Sequence, residues 1–236
     1  MTDPEFERLC SVAAARFTPA GSYGQRFARG KLVNDPVFAH LLRDGLIPDH
    51  ARLLDLGCGQ GCLLALLVAA GEQYRAGVWP VGWPRPPAGL RLRGIELRAK
   101  DVARAKSALR EDAEVEFADL RTARLPASDV IVLMDVLHYL EPAAQDSILA
   151  RIAETLTPQG VLLMRVGDPS ARFAAALSWL VDQTVAVARG QGLHRFHRRS
   201  IARWLAALES HGLAVSTPQT DGVTPFANML IVARKQ

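Results

Sequence analysis

Along this chain, short apolar runs alternate with stretches of helical spacing, and the switches between the two periods mark strands and helices in turn. Runs bounded by turn residues read as buried strands at Arg52–Leu56, Arg91–Glu96, Val115–Asp119, Val130–Met134 and Val161–Val166. Between them lie the unbroken apolar run after Gly61, a helix over Ala99–Arg110, and a segment from Pro142 to about Leu156 whose proline suits a first helical turn. Such alternation predicts a mainly parallel sheet covered on both faces. Thr157-Pro158-Gln159-Gly160 reads as a turn. Beyond it, residues 171–188 have amphipathic helical spacing, and Ser200 can cap a helix that ends near His211-Gly212. Two last strands, near Leu213–Thr217 and Ala227–Ala233, are joined too closely for a helical crossover and are expected to pair antiparallel.

The pattern is less regular in two places. Residues 3–17 can form a short helix, Ser22–Lys31 is polar with glycines at 21, 24 and 30, and residues 1–48 together read as an N-terminal helical cap. Residues 49–236 then form the main domain. Within it, Gly71–Arg93 carries Trp79, Trp83 and prolines at 80, 84, 86 and 87, and cannot be a regular element. Because it joins the end of the first apolar helix to the second strand, it should emerge away from the ligand-binding edge of the sheet. Its rings either pack back over that helix or serve a partner surface.

Composition narrows the class. A chain of 236 residues that is 49% apolar is long enough to bury a proper core, which argues against disorder. The formal net charge of +4 is a poor argument for nucleic acid, which needs basic residues gathered on one face. Cys10, Cys58 and Cys62 form no CxxC, which supports neither a disulfide framework nor a zinc knuckle and fits a reducing, cytoplasmic compartment. No spacing makes a convincing metal site. The acidic start lacks the pattern of a secretory signal, and the longest apolar run, Cys62–Ala70, is about half the ~20 residues a membrane helix needs.

The strongest chemical signal is Leu53-Leu54-Asp55-Leu56-Gly57-Cys58-Gly59-Gln60-Gly61, a strand ending in an acid and then three alternate glycines opening a helix. Such a loop lets a ligand approach the backbone and presents helix N-terminal amides to it. A dinucleotide fingerprint would need glycine where Cys62 stands, and a P-loop would need Gly-Lys-Ser/Thr where the chain has Gly61-Cys62-Leu63.

These residues resemble the class I S-adenosylmethionine-dependent methyltransferase family, whose loop commonly reads acidic-x-G-x-G-x-G, matched here by Asp55, Gly57, Gly59 and Gly61 with Cys58 between. The resemblance extends to Gly94-Ile95-Glu96, where it implies that Glu96 accepts both ribose hydroxyls beside Leu97, and to Ala118-Asp119-Leu120, where Asp119 and Leu120 would meet the adenine. It continues through Asp129–Leu140, which would pass the methionine moiety and the transferred methyl, and through Thr224–Ala233 as the terminal hairpin strand. It covers roughly residues 50–236 and implies a Rossmann-like, doubly wound α/β fold. The mainly parallel sheet would have seven strands, with the last antiparallel between the fifth and sixth. Glu96 stands 41 residues after Asp55, where about 20 is usual; the 71–93 insertion accounts for the excess. Arg29-Gly30-Lys31, Asp35-Pro36-Val37-Phe38, the Trp-Pro insertion and Asp135–Leu140 also look like bacterial methyltransferases of aryl-polyene and related pigment pathways.

The resemblance implies S-adenosyl-L-methionine as cofactor and a small-molecule or carrier-bound acceptor, aromatic if the pigment likeness holds. Asp135 and His138 are the candidate catalytic residues. His138 is either a general base for a phenol or acid, or a structural histidine; Asp135 orients the cofactor ammonium or the acceptor. Tyr23, Arg29 and Lys31 either close the site from the N-terminal segment or belong to a solvated polar loop, and Arg165 and Asp168 face the expected mouth. The basic cluster His194, Arg195, His197, Arg198 and Arg199 is a solvated turn or a grip for the phosphopantetheine arm of an acyl carrier protein. A homodimer is a further expected partner arrangement. The alternatives are an RNA or protein methyltransferase, which lacks its usual Asn/Asp-Pro-Pro-aromatic signature here, a nicotinamide oxidoreductase, which Cys62 disfavours, and a non-catalytic cofactor-binding partner subunit.

Overall fold

The structure is a computed structural model that describes residues 3–167, 196–216 and 228–236. The chain forms two compact units, Met1–Arg124 and Leu125–Gln236.

In the first unit, helix α1 (Pro4–Ala15) begins where an Asp3 carboxylate oxygen accepts the Glu5 amide at 2.9 Å and Pro4 takes the first helical position. It buries Phe6, Leu9, Cys10 and Ala13 against helices α2 (Gly21–Asn34) and α4 (Cys62–Arg75). Arg16, just past its end, donates to Glu72 of α4 at 2.8 Å and pairs with Asp112. The polar stretch 22–31, read as an open loop in one alternative, is thus helical: Gly24, Ala28 and Leu32 recur at four-residue spacing and bury one face. A short helix α3 (Val37–Arg43) completes the N-terminal segment.

Strand β1 (Arg52–Leu56) pairs parallel with β2 (Arg91–Glu96), and β2 with β3 (Ala113–Phe117). The first two strands have the bounds read from sequence. The third starts and ends two residues earlier than expected, because the Ala118 amide donates to the Glu96 carbonyl at 3.1 Å and the Asp119 carbonyl then accepts from Thr122 and Ala123. Helix α4 is buried along Cys62–Leu67, and α5 (Ala99–Leu109) buries Val102, Ala105, Ala108 and Leu109.

The irregular Trp-Pro segment is shorter than read, since α4 takes Gly71–Arg75. Its rings pack inward: Trp83 lies 5.7 Å from Trp79 and 6.1 Å from Phe6, the Arg43 guanidinium sits 4.1 Å from the Trp83 ring, and Trp79 Nε1 donates to the Pro84 carbonyl at 3.0 Å. Pro80 and Pro86 are buried. The packing alternative describes these rings, which form a satellite core with α1 and α3.

In the second unit, strand β4 (Ser128–Met134) runs parallel to β5 (Leu156–Gly167), and helix α6 (Pro142–Thr155) connects them. Helix α7 (Ile201–Ser210) leads into β6 (Leu213–Ser216), which pairs antiparallel with β7 (Asn228–Lys235); β7 also pairs antiparallel with β5. Ser200 holds the N-cap position of α7 without a side-chain capping bond. The expected turn at Thr157–Gly160 lies inside β5. Ser128 pairs with Leu156 and Val130 with Val161, so residues 157–160 bulge opposite Asp129, with Gln159 at φ 64°. Thr157 Oγ1 donates to the Asp129 carboxylate at 2.7 Å and closes the bulge.

The strands take the order β3-β2-β1-β4-β5-β7-β6 in a seven-stranded sheet, with β7 between the fifth and sixth strands as expected. The helix read over 171–188, together with Asp168, His194, Arg195 and residues 217–227 of the terminal connection, lies outside the described residues. No helix among the described residues is long and apolar enough to cross a membrane.

Candidate functional site

The end of β1 and the end of β2 are neighbours by register, since Asp55 pairs with Gly94 and Leu56 with Ile95. The glycine loop after β1 folds over this edge. The amides of Gly57 and Cys58 both donate to the Ile95 carbonyl, at 2.8 and 3.2 Å, the Gly59 amide donates to Glu96 Oε2 at 3.0 Å, and the Gly61 amide to the Cys58 carbonyl at 2.9 Å. Four loop amides ahead of helix α4 therefore donate within the protein. The loop also offers space: a Cβ on Gly59, at φ +57°, would meet nothing within 4 Å among the described residues. Gly61, at φ +81°, is glycine for the opposite reason, since its Cβ would stand 2.8 Å from Leu109 Cδ1.

Glu96 is buried, and its second oxygen, Oε1, accepts the Arg98 amide at 2.8 Å. Each carboxylate oxygen has two lone pairs, so both retain acceptor capacity toward a ligand hydroxyl. Asp55 is buried as well, and burial, with the Glu96 charge second, pushes its carboxyl up to about 7. The same two carboxylates act on Cys58, whose thiol is raised well above its ordinary value, chiefly by burial. Cys62 and Cys10 are pushed up to about 12 by burial. All three stay protonated thiols at neutral pH, so none is activated as a nucleophile.

Gly94 on β2 faces Cys58 so closely that a Cβ there would lie 2.6 Å from the Cys58 sulfur. The small side chain of Cys58 thus fills the space that Gly94 leaves. Next to Glu96, Leu97 is 56% exposed, an apolar side chain left uncovered beside the carboxylate. Leu120 is buried. Asp119 accepts from the Arg121 backbone amide at 2.9 Å and from its guanidinium, and these bonds hold its carboxyl below the usual carboxylate range.

From the N-terminal segment, Tyr23 is exposed, with the Arg104 guanidinium of α5 4.8 Å from its ring centroid. Arg29 is turned toward α1, its Nε donating to Ser11 Oγ at 3.4 Å, and Lys31 pairs with Asp35 at 2.8 Å. Gln60 escaped the sequence reading because it occupies a variable position of the loop motif. It is buried, and its amide donates to the Gly24 carbonyl of α2 at 2.9 Å.

In the second unit, Met134 of β4 pairs with Arg165 of β5, which brings Asp135 and Arg165 to the same end of the sheet. Asp135 adopts φ 57°, uncommon outside glycine, and its carboxylate is gripped by Arg165 through Nε, at 3.0 Å, and Nη2. Arg165 is buried. His138 lies on the 3-10 turn Leu137–Tyr139, its ring 4.2 Å from Tyr139 and 5.3 Å from Phe196. Burial pushes its imidazole down to about 4, against an opposing pull from Asp135, and its buried Nε2 has no hydrogen-bond partner among the described residues. The turn is held by Gln145, a buried α6 residue absent from the sequence reading, whose Nε2, with two hydrogens to donate, lies 2.8–2.9 Å from the carbonyls of Leu137, Leu140 and His197 and is shared among them. Arg199 pairs with Asp146 and donates to the Pro142 carbonyl at 2.7 Å, so it ties the start of α7 to α6. Among the described residues no group of three His, Cys, Asp or Glu could hold a metal ion.

Residues 26–215 match a family model described as a methyltransferase domain. The tetracenomycin polyketide synthesis 8-O-methyl transferase TcmO of Streptomyces glaucescens is 27% identical over 179 residues, covering 73% of this chain and 48% of that protein. The chain spans about half the length of the curated relatives it matches. Among solved structures, an O-methyltransferase family protein from Burkholderia thailandensis superposes with a TM-score of 0.64 at 18% identity, over 94% of this chain and 62% of that one. Human N-acetylserotonin methyltransferase, in complex with S-adenosylmethionine, gives 0.59 at 20% identity, over 99% and 59%.

Proposed function

The chain belongs to the methyltransferase-domain family, and from that premise we propose that it is a class I S-adenosylmethionine-dependent enzyme that methylates a hydroxyl of a small-molecule secondary metabolite. The observation that carries the cofactor half is Glu96: a buried carboxylate with acceptor capacity left on both oxygens, set against a loop whose Gly59 faces open space. That arrangement fits a ribose diol. Exposed Leu97, with Asp119 and Leu120 after β3, supports a flat apolar ring as the neighbouring group. Gly57, Cys58 and Gly61 shape the loop around the ligand, and Asp55 fixes its start.

The cofactor supplies an electrophilic methyl group whose leaving group, a thioether, needs no protonation. The chain's task is to bind, orient and exclude water. His138 is neutral from about pH 4 upward and is the base candidate at Nε2, with the burial that lowers it also making it a weaker base than an exposed imidazole. Tyr139 and Phe196 beside it support an aromatic acceptor. Asp135, gripped by Arg165, serves as an orienting group rather than as a base. The acceptor class also draws on TcmO, whose name assigns it 8-O-methyl transfer in tetracenomycin polyketide synthesis. Of the basic cluster read as a grip for a carrier arm, Arg199 is committed to Asp146. Tyr23 is the residue of the N-terminal segment best placed to reach a ligand, since Arg29 and Lys31 are engaged with Ser11 and Asp35.

Calorimetric titration with S-adenosylhomocysteine tests the reading. Saturable binding is expected, weakened by about 1–3 kcal/mol in Glu96→Ala, the range for hydrogen bonds to a charged group. Mass-spectrometric screening of phenolic acceptors then reads the transfer. Absence of binding to the wild type would overturn the proposal.

A further inference from the structure

Two separate lines of contact run from the glycine loop to helix α2 and meet at adjacent residues. The first is direct. Gln60 lies between Gly59 and Gly61, but its side chain turns inward, and its amide donates to the Gly24 carbonyl at 2.9 Å, 36 residues upstream. The second passes through Glu96. That carboxylate holds the Gly59 amide on one oxygen and the Arg98 amide on the other, at 3.0 and 2.8 Å. The Arg98 side chain pairs with Asp101 at 2.8 Å, Asp101 pairs with Arg104 at 3.0 Å, and the Arg104 guanidinium lies 4.8 Å from the ring centroid of Tyr23, the residue before Gly24. Asp101 is buried between the two arginines. Backbone links close both ends, so the contacts form a ring.

We propose that Gln60 is a positioning residue that couples helix α2 to the occupancy of the cofactor loop, with the Glu96–Arg98–Asp101–Arg104–Tyr23 line as the second arm of the same coupling. The inference rests on the cofactor reading above and adds a consequence to it. A ligand that fixes Gly59 and Glu96 fixes both anchors of α2 at once, and the ordering of α2 in turn favours the ligand-competent loop. Gln60 suits this place chemically. Its amide presents a neutral donor to a carbonyl, which a carboxylate would repel and a thioether could not replace.

Hydrogen exchange followed by mass spectrometry, with and without saturating S-adenosylhomocysteine, reads the coupling. In the wild type the ligand is expected to slow exchange both in the loop peptide 57–61 and in α2, by about fivefold or more, the lower end for coupled sites. In Gln60→Met, which keeps the length of the side chain and removes the donor, the loop is expected to stay protected while the slowing in α2 falls below about twofold. The dissociation constant should rise about 3- to 10-fold, the ratio for one neutral hydrogen bond. Arg104→Ala breaks the outer arm on a half-exposed helix surface and should reduce the same α2 protection, so a poorly folding Gln60→Met would not end the test. Protection of the loop without α2 in the wild type, or unchanged α2 protection in both variants, would overturn the coupling and leave the cofactor reading intact. Protection of neither peptide would overturn both.

Discussion

Gly59 and Glu96 are 37 residues apart in the chain, yet the glycine amide lies 3.0 Å from the glutamate carboxylate. One side chain at the end of β2 thus sets the shape of the loop after β1 before any ligand arrives. Glu96→Gln separates the two roles, because an amide has only one acceptor oxygen for the Gly59 and Arg98 amides. Expected are a loss of about 1–2 kcal/mol in folding stability by denaturant titration and weaker S-adenosylhomocysteine binding by calorimetry.

Gly94→Ala should disturb that loop from below. The added methyl would stand 2.6 Å from the Cys58 sulfur and 3.2 Å from Leu64 Cδ1, an overpacking that costs about 1–3 kcal/mol. Cys58→Ala in the same chain removes the nearest atom, so the double variant should recover part of the loss. Thermal melts of the four proteins measure the interaction, and strict additivity would contradict the contact.

Asp55 gives the first unit a pH dependence of unusual sign for a carboxylate. Its folded value is raised to about 7, so between pH 4 and 7 the native chain holds a proton that the unfolded chain has released. On this group's account, stability is greatest below pH 4 and falls as pH rises to 7, by up to about 1.4 kcal/mol per pH unit. Asp55→Asn should remove that slope, seen as a difference between wild-type and variant urea midpoints across the range.

His138 works in the other direction. Its folded value is lowered to about 4, so the unfolded chain takes up a proton below pH 6.5 that the native chain refuses until pH 4. Stability from this group is present above pH 6.5 and is lost as pH falls through that window. For methyl transfer, the acid limb of the rate profile is expected near pH 4 instead of 6.5. His138→Gln should lower kcat by about 10²- to 10⁴-fold with the cofactor dissociation constant unchanged. An acid limb at 6.5, or a variant with wild-type kcat, would assign the ring a packing role only.

Asp135→Ala removes the carboxylate that grips the buried Arg165 guanidinium and is expected to cost about 2–4 kcal/mol. Asp135→Asn keeps one acceptor and should cost less than half as much. Differential scanning calorimetry distinguishes the two.

The bounds of β1 and β2 were legible because each run is closed sharply, by Gly57 after one strand and by the exposed Leu97 after the other. β3 was displaced by two residues for a physical reason: its Ala-Glu-Val-Glu-Phe alternation buries only Val115, so its apolar signal is weaker than that of the fully buried strands. Thr157–Gly160 has the composition of a turn and locally behaves as one, but composition alone does not reveal that the ladder to β4 resumes at Val161. At the candidate site, the motif residues were visible because backbone geometry demands glycine there. Gln60 and Gln145 were not, since their partners lie 36 and up to 52 residues away and amide side chains carry no periodic signal. The neutrality of His138 depends on burial by rings from two segments, a property of the fold.

Arg16 joins the end of α1 to Glu72 and to Asp112, the latter 96 residues further along the chain. During synthesis at about 5–20 residues per second, Asp112 follows Arg16 by roughly 5–20 seconds. Helix α1 is therefore made before all of its anchors are, and the part of its face with Phe6, Leu9 and Cys10 that packs on α4 stays open until residues 62–75 follow. A chain stalled in that interval would present this face to chaperones, so the order of synthesis decides how long α1 is exposed to misassembly.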